Sequence, residues 1–442
     1  MSSSLSKRLR LSVIGTGYLG ATHAAAMSSL GFTVVGIDVD SEKIERLKVG
    51  DVPFYEPGLD QLLRDEVASG RLTFTTDITA AKDADIHFIC VGTPQAKNSL
   101  AADMTYVNAA LEAIAPIAKS GSLIVGKSTV PVGTAARLAS RLAEVNKGAE
   151  LAWNPEFLRE GFAVEDTLRP NRLVVGVTSD KAEAMLKEVY EDLLALEIPW
   201  IRADLPTAEL VKVAANSFLA TKISFINAMA EICEAAAGDV TVLAKAIGYD
   251  PRIGNRFLQA GIGFGGGCLP KDIRAFMARA DELGARQALE FLREIDSINL
   301  RARARMIELV RSDLGEDLRQ RRIAILGAAF KPESDDVRDS PALDIAAQLN
   351  GAGAKVIVHD PKAIENAKVR FPALEFADDV HDATKDAEMI LHLTEWREYR
   401  EIDPAALKGK VKSTNIIDGR NALDRNRWIA AGWNFRALGV GR

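Results

Sequence analysis

The chain has 442 residues, a length that suits about three domains, and its 48% hydrophobic content is typical of proteins with ordinary packed cores. Its formal net charge of −6 argues against a broad nucleic-acid-binding face. The sequence has no signal-peptide core and no apolar window long enough for a membrane span. Three scattered cysteines and histidines without metal-ligand spacing complete the prediction of a cytoplasmic protein with no metal, membrane or nucleic-acid partner.

The first part of the chain alternates strand-like and helical patterns. RLSVI at residues 10–14 and TVVGI at residues 33–37 predict two strands, with a helix between them that ends near Gly31. IHFICVG, SLIVGKS, NRLVVGV and IPWI read as later strands of the same sheet. Because strands and helices alternate, we expect a parallel, doubly wound sheet in a domain that spans residues 1–204.

The middle and the end of the chain have different patterns. A long amphipathic helix is predicted from Pro206 to about Gly238, and helical sequence continues to about Leu314, so residues 205–314 form the predicted central domain. RRIAILGAAFKP then opens a second strand–helix series over residues 315–442, without a G-x-G-x-x-G motif. The predicted fold class is α/β, with two Rossmann-like doubly wound domains joined by an all-helical domain. The second Rossmann-like domain is not expected to bind a dinucleotide in the usual way.

A G-x-G-x-x-G motif follows the first predicted strand and opens the first helix. Gly15 permits a tight turn, Gly17 allows the backbone to approach a pyrophosphate, and Gly20 permits close packing of helix and strand. Asp38 ends the next strand, where a carboxylate accepts hydrogen bonds from ribose hydroxyls and repels a 2′-phosphate. The pattern predicts NAD as the cofactor in preference to NADP, although the same glycines would also serve a simple turn.

Three further segments carry polar residues where a ligand is expected. VGTPQ and KSTVPVGT follow strands and therefore lie at the carboxyl edge of the sheet, although proline and threonine also mark ordinary turns. NPEFLREG places Glu156 and Glu160 four residues apart, a pattern that a solvated helix start shares. Lys212 and Asn216 share one face of the long helix among apolar neighbours, which favours a paired or functional role over a solvent-facing stripe.

The segment GFGGGCLPKD places Cys268 between a glycine loop and the predicted start of a helix. Pro270 suits a first helical turn, and a helix N-terminus lowers the pKa of a nearby thiol. Asp272 falls in the first turn, within reach of groups around the thiol, and Lys271 adds a positive charge. The glycines would let a bulky substrate approach the sulfur. A reactive thiol explains this arrangement better than an inert core cysteine does.

Eight segments together resemble the UDP-glucose/GDP-mannose dehydrogenase family, in the family's order and nearly from end to end. They are GTGYLG, VGTP, KSTVPVGT, NPEFLREG, ELVKVAANSFLATKISFIN, IGNRFLQAGIGFGGGCLPKD, FKPESDDVRDSP and IDGRN. The resemblance implies oxidation of a primary alcohol to a carboxylate in two NAD-dependent steps, UDP-glucose giving UDP-glucuronate. A UDP-N-acetyl sugar or GDP-mannose is the alternative substrate. NAD is expected in the N-terminal domain and the UDP moiety largely in the C-terminal one.

The resemblance also implies residue roles. Cys268 matches the family nucleophile, which forms a thiohemiacetal and then a thioester. Lys212 would stabilise oxyanions, and Asn216 and Asp272 would orient the reacting oxygen or a water. Glu156 would act in thioester hydrolysis, with Thr129 positioning the water.

The implied binding residues fall into two groups. The NAD contacts are Gly15, Gly17, Tyr18, Leu19, Gly20, Asp38, Lys43, Thr93, Thr129, Glu160 and Arg338. The UDP-sugar site is lined by Glu156, Phe157, Leu158, Lys212, Asn216, Arg252, Phe257, Leu258, Gln259, Ala260, Gly261, Gly265, Phe330, Lys331 and Arg420. Gly267, where many family members carry serine, and Gln259, where some carry a basic residue or asparagine, are local departures.

The apolar surface of the long helix suggests a homodimer through the central domain, with a higher oligomer as an open alternative. The family also places the residue that matches Arg252 in the partner's sugar pocket. Two other functions remain to be separated from this one. A β-hydroxyacid-type dehydrogenase would produce one NADH per substrate, and an NAD-responsive regulatory protein would produce none.

Overall fold

The computed structural model describes residues 8–441, which form two compact units. The first unit contains the described residues up to 215 together with residues 274–282, and the second contains residues 216–273 and 283–441. Residues 1–7 lie outside the described residues. The prediction that the N-terminal segment is not a signal peptide falls partly on them.

The first unit is built on an eight-stranded sheet in the order β3-β2-β1-β4-β5-β6-β7-β8. The strands are β1 (Arg10–Ile14), β2 (Thr33–Ile37), β3 (Leu72–Thr75), β4 (Ile86–Ile89), β5 (Leu123–Gly126), β6 (Glu150–Trp153), β7 (Leu173–Gly176) and β8 (Trp200–Ala203). Neighbouring strands are parallel except β6 and β7, which meet in an antiparallel pairing at Trp153 and Gly176. The predicted doubly wound sheet is therefore confirmed, with one antiparallel junction that the strand pattern did not reveal.

Helices cover both faces of this sheet because its strands are buried on both sides, as parallel strands usually are. They are α1 (Tyr18–Ser29), α2 (Ser41–Lys48), α3 (Leu59–Ala68), α4 (Thr105–Ile114), α5 (Thr134–Val145), α6 (Ala163–Leu168), α7 (Asp180–Val189) and α8 (Glu191–Leu194), with a short 3₁₀ turn at Ile78–Ala81. Two separate apolar clusters, one containing Leu11 and Phe88 and the other Ile14 and Trp153, form the core. Strand order reverses between β1 and β4, where open α/β sheets bind ligands.

Long helices follow the first sheet in the chain. They are α9 (Leu205–Ala235), α10 (Val240–Gly248), α11 (Leu269–Glu282) and α12 (Glu290–Leu314), with a 3₁₀ turn at Arg286–Leu289. The predicted long helix is confirmed as the 31-residue α9. Cys268 directly precedes α11, as the sequence predicts.

The second unit contains a six-stranded parallel sheet in the order β11-β10-β9-β12-β13-β14. Its strands are β9 (Arg322–Leu326), β10 (Lys355–His359), β11 (Glu375–Phe376), β12 (Met389–His392), β13 (Asn415–Asp418) and β14 (Asn434–Ala437). Its helices are α13 (Pro341–Gly351), α14 (Ile364–Arg370), α15 (Val380–Thr384), α16 (Arg397–Glu401), α17 (Pro404–Lys408) and α18 (Arg425–Ala430). This Rossmann-like order matches the fold class predicted for the C-terminal part of the chain.

Candidate active site

Each glycine of the turn between β1 and α1 has a different structural role. Gly15 adopts φ +88°, a left-handed conformation that favours glycine. A Cβ on Gly20 would lie 1.8 Å from the carbonyl oxygen of Gly15, so α1 packs directly on the turn. A Cβ on Gly17 would meet nothing within 4 Å, which leaves open space beside the backbone at the start of α1. Because this open space adjoins a helix N-terminus, the turn can accept a pyrophosphate. Tyr18 and Leu19 begin α1 and are partly buried.

Asp38 lies at the end of β2, and its carboxylate closes the turn from the other side. Its Oδ2 accepts hydrogen bonds from Thr16 N at 2.8 Å and from Lys43 Nζ at 3.0 Å. Burial raises the pKa of Asp38, but hydrogen bonds from Thr16, Asp40 and Lys43 and the charge of Lys43 outweigh it, so the net pKa is lowered. The ionised carboxylate, the glycine turn and the open space at Gly17 fit NAD.

The loops that follow β4 and β5 are joined by a hydrogen bond. Thr93 is buried and its Oγ1 donates to the carbonyl oxygen of Thr129 at 2.8 Å. The two predicted NAD contacts Thr93 and Thr129 therefore lie together at the carboxyl edge of the sheet.

The carboxylate of Glu156 is held by three donors. Its Oε1 accepts from the backbone nitrogens of Phe157 at 2.8 Å and Leu158 at 3.0 Å. Its Oε2 forms an ion pair of 3.1 Å with Nζ of Lys127, which is buried at the end of β5. Lys127 lies in the KSTVPVGT segment but was not predicted as a site residue, although a lysine directly after an apolar strand is a signal for such a role.

The loop that contains Glu160 is anchored to the dinucleotide turn through Glu56, which was not among the predicted site residues. The buried carboxylate of Glu56 accepts from Tyr18 Oη, from Gly161 N at 2.6 Å and from Ala163 N at 2.7 Å. The position of the 156–163 loop is thus tied to the first turn of α1. In the sequence, Glu56 lies in the segment YEPG, directly before the start of α3, and this position was the only local indication of a role.

Lys212 and Asn216 lie one turn apart on α9 and both are buried. Nζ of Lys212 lies 5.4 Å from the ring centroid of Phe157, and the guanidinium of Arg172 lies 4.0 Å from the same centroid. Two predicted sugar-site residues, Phe157 and Lys212, are therefore in contact within the first unit, whereas Arg172 was not predicted.

In the second unit, Asn216 and Asp272 are joined near the start of α11. Asn216 Nδ2 donates to Asp272 Oδ2 at 2.7 Å, and Lys271 Nζ lies 2.5 Å from Asp272 Oδ1. Asp272 is buried, while Cys268 is exposed at the helix start. The predicted catalytic group Cys268, Asn216 and Asp272 therefore lies within one unit, and Lys212, Glu156 and Thr129 lie within the other.

The glycine loop before Cys268 owes its composition to close backbone packing. A Cβ on Gly265 would lie 2.2 Å from the carbonyl oxygen of Asp339, and one on Gly266, at φ +83°, would lie 2.7 Å from the ring of Phe330. A Cβ on Gly267 would lie 2.2 Å from Cζ of Arg338. The loop thus packs closely against residues 330–340. This packing places Phe330 and Arg338, two predicted ligand-binding residues, next to the loop.

Arg420 joins the same two segments. Its guanidinium donates to the carbonyl oxygens of Gly263 at 2.9 Å and Phe330 at 3.2 Å. Lys331 Nζ lies 5.4 Å from the ring centroid of Phe330. The arginine therefore organises the lining of the predicted UDP-sugar site as well as belonging to it.

The remaining predicted sugar-site residues follow α10. Arg252 is exposed and hydrogen bonded to Asp250, and Phe257 is also exposed, with φ +64°. Gln259 is exposed, whereas Leu258, Ala260 and Gly261 are buried. None of the helices in residues 8–441 is long and apolar enough to cross a bilayer.

Family models match three consecutive parts of the chain. They describe the NAD binding domain (residues 9–194), the central domain (206–301) and the UDP binding domain (324–425) of the UDP-glucose/GDP-mannose dehydrogenase family. The chain is 42% identical to the UDP-glucose 6-dehydrogenase TuaD of Bacillus subtilis, over 97% of this chain and 93% of that protein. It is 39% identical to a UDP-glucose 6-dehydrogenase of Rhizobium meliloti, over 98% and 99% of the two chains.

Solved structures give the same result for the fold. A UDP-glucose dehydrogenase from Pyrobaculum islandicum matches with a TM-score of 0.90 and 36% identity, over 100% of both chains. A UDP-D-ManNAc dehydrogenase from Pyrococcus horikoshii matches with a TM-score of 0.85 and 26% identity, over 98% of this chain and 99% of that one.

Proposed function

Because the chain belongs to the UDP-glucose/GDP-mannose dehydrogenase family, we propose that it oxidises UDP-glucose to UDP-glucuronate with two equivalents of NAD. The observation that carries the proposal is Cys268, an exposed thiol directly before α11, beside a buried Asn216–Asp272 pair. Bound NAD accepts one hydride in each of the two oxidations. Charge stabilisation, positioning, nucleophilic attack and proton removal during hydrolysis are assigned to side chains of this chain.

In the first oxidation, the C6 hydroxyl of the sugar loses its proton, which is released overall to solvent, and the C6 carbon loses a hydride, giving an aldehyde. Lys212 stabilises the negative charge that develops on that oxygen. Asn216 and Asp272, which hold each other at 2.7 Å, keep the oxygen in place. These roles are the ones that the resemblance implies, and we propose them for this chain.

The second oxidation requires the thiol because an aldehyde has no hydride to give until a nucleophile adds to it. The Cys268 thiolate forms a C–S bond to the aldehyde carbon, and the carbonyl oxygen takes up a proton from solvent, giving a thiohemiacetal. Loss of a hydride and of the hydroxyl proton converts the thiohemiacetal into a thioester. Water, positioned by Thr129, then attacks the thioester while Glu156 takes its proton, the C–S bond breaks and the thiolate is released with the acid.

UDP-glucose is favoured over the alternative sugars by the relatives. The two curated relatives described above act on UDP-glucose by their names and are 42% and 39% identical. The neighbour that is named for UDP-D-ManNAc is 26% identical. A β-hydroxyacid-type dehydrogenase and a purely regulatory role are disfavoured by the match to all three family domains.

The functional division that we propose keeps the predicted boundaries: NAD at residues 1–204, dimerisation and catalysis at 205–314, and UDP-sugar binding at 315–442. An apolar face of α9 supports a homodimer, since Phe218, Phe225 and Ile232 repeat every seven residues and are 66%, 47% and 61% exposed. We place the enzyme in the cytoplasm, where nucleotide sugars and reduced thiols would both be available.

The test is a panel of nucleotide sugars with NADH as the readout. UDP-glucose should yield two NADH and one UDP-glucuronate per turnover, and Cys268→Ala should form no acid. Cys233→Ala, a matched change of another cysteine, should keep the wild-type stoichiometry. Acid formation by Cys268→Ala at a rate near that of the wild type would rule out the covalent route, and a different preferred sugar would redirect the substrate assignment.

A further inference from the structure

Lys127 is a buried lysine for which no role has been assigned so far. It directly follows β5, and only 4% of its side-chain surface is exposed. Its Nζ donates to Asn154 Oδ1 at 2.9 Å and forms the ion pair of 3.1 Å with Glu156 Oε2. A lysine is rarely buried to this extent unless its charge is paired. The lysine is therefore built into the site that holds Glu156.

Among the groups around Lys127, Glu156 is the one that pairs with its positive charge. Tyr190 donates its hydroxyl to Asn154 Oδ1 at 2.7 Å, and burial raises the pKa of this tyrosine. Burial also raises the pKa of the Cys90 thiol to about 12. Burial is the largest single effect and would lower the pKa of Lys127, but the charge of Glu156, with further contributions from Tyr190, Cys90 and the hydrogen bond to Glu156, raises the net pKa. A charged lysine among neutral neighbours thus faces a single carboxylate partner in the ion pair.

The same contacts define the orientation of the Glu156 carboxylate. The backbone nitrogens of Phe157 and Leu158 donate to Oε1, and Lys127 donates to Oε2 from the buried side. The side chain of Glu156 keeps 17% of its surface exposed. Protein groups therefore contact one edge of the carboxylate, and a water molecule can reach its exposed edge.

We propose that Lys127 is a positioning residue for thioester hydrolysis, because its ammonium group holds the Glu156 carboxylate in the orientation that takes the proton of the attacking water. The inference rests on the proposed function. In this step the water oxygen bonds to the thioester carbon, the C–S bond breaks, Cys268 leaves as thiolate and the water proton moves to Glu156. Neither hydride transfer requires Glu156, so loss of Lys127 should slow the release of the acid and spare the two oxidations.

The experiment compares Lys127→Met and Lys127→Gln with the wild type in rapid-mixing assays with UDP-glucose and excess NAD. Both variants should release close to two NADH per active site in a fast first phase. The steady-state rate should then fall by at least about tenfold, as expected when a general base is impaired. Acid-quenched protein should carry the mass of a UDP-glucuronyl thioester on Cys268, and Lys127→Arg should restore part of the steady-state rate.

The control is Lys187→Met, which removes a lysine that pairs with Glu183 on the surface of α7 and should behave as the wild type. An equal fall of the first phase and the steady state, with no accumulated thioester, would overturn the proposal, as would an unchanged steady state. If Lys127→Met does not fold, the steady-state rates of Lys127→Gln and Lys127→Arg test the proposal, since only the arginine keeps the positive charge. A wild-type enzyme that makes no NADH from UDP-glucose would instead refute the proposed function.

Discussion

Asn216 Nδ2 donates a 2.7 Å hydrogen bond to Asp272 Oδ2, and this bond joins the long helix α9 to the first turn of α11, directly after Cys268. Asp272 lies four residues beyond Cys268, and its backbone nitrogen donates to the Cys268 carbonyl oxygen at 3.0 Å. The orientation of the helix start that presents the thiol is therefore fixed from outside the helix by one buried amide.

Asp272→Asn should lower kcat by at least about a hundredfold while the protein stays folded. The new amide cannot accept from Asn216 and Lys271 as the carboxylate does, so one polar contact is lost and the reacting oxygen is no longer held. The measurement is kcat with UDP-glucose, alongside the melting temperature. Asp281→Asn, an exposed change on the same helix, serves as the control. A variant with near-normal kcat would contradict the proposed role of Asp272.

The enzyme should prefer NAD to NADP by at least about tenfold in kcat/KM, because the ionised Asp38 faces the position of the 2′-phosphate. Asp38→Ala should narrow that preference, since Lys43 then loses its carboxylate partner at 3.0 Å and becomes available to a phosphate. Steady-state kinetics with both cofactors measure the ratio. Equal use of the two cofactors by the wild type would show that the carboxylate does not discriminate.

Arg252 should complete the sugar site of the neighbouring subunit. Its side chain is 88% exposed, which leaves it available to a second chain. Arg252→Ala and Cys268→Ala should each be nearly inactive alone. Co-expressed and randomly paired, they should recover about a quarter of the wild-type activity, because half the dimers regain one of two sites. Mixed dimers that are confirmed by mass and yet show no recovery would eliminate the shared site.

Gly267→Ser and Gly266→Ser should differ in their effects. At Gly267 the three atoms nearest to an added Cβ all belong to the flexible guanidinium of Arg338, so the chain should fold and the KM for NAD should rise as Arg338 moves. At Gly266 the φ of +83° and the Phe330 ring oppose any side chain, so the melting temperature should fall by several degrees. The comparison needs thermal unfolding and NAD kinetics of both variants. Similar melting temperatures for the two would argue against the described loop packing.

Glu209 gives a prediction on stability and pH. It lies on α9, and its carboxylate accepts from Gly133 N at 2.7 Å and Ala135 N at 2.6 Å at the start of α5. Burial raises the pKa of Glu209 from 4.5 to about 7. Because the pKa is higher in the folded state, the contribution to stability is fully present below about pH 4.5 and is lost as the pH rises through 7.

The stability of the wild type relative to Glu209→Gln should therefore decrease from pH 5 to pH 8, by up to about 3 kcal/mol. Urea denaturation of both proteins at the two pH values measures the difference. A difference that stays constant with pH would show that Glu209 is already ionised throughout this range.

The local structure could be predicted from the amino-acid sequence. The strands at residues 10–14 and 33–37, the long helix and the placement of Cys268 before α11 agree with the structure, because each depends on hydrophobic periodicity and on residues within a few positions. The predicted end of the first helix near Gly31 agrees as well, since α1 ends at Ser29 and Leu30 is its C-cap.

Which distant residues come into contact depends on how the strands and helices pack. Lys127 and Glu156 come together from the ends of β5 and β6, and Asn216 reaches Asp272 from a different helix. The glycines before Cys268 are needed because the 330–340 segment packs on their backbone, a contact between residues far apart in the chain. No local pattern records such contacts, since propensity and periodicity act over a few residues whereas a buried charge finds its partner only when strands and helices have packed.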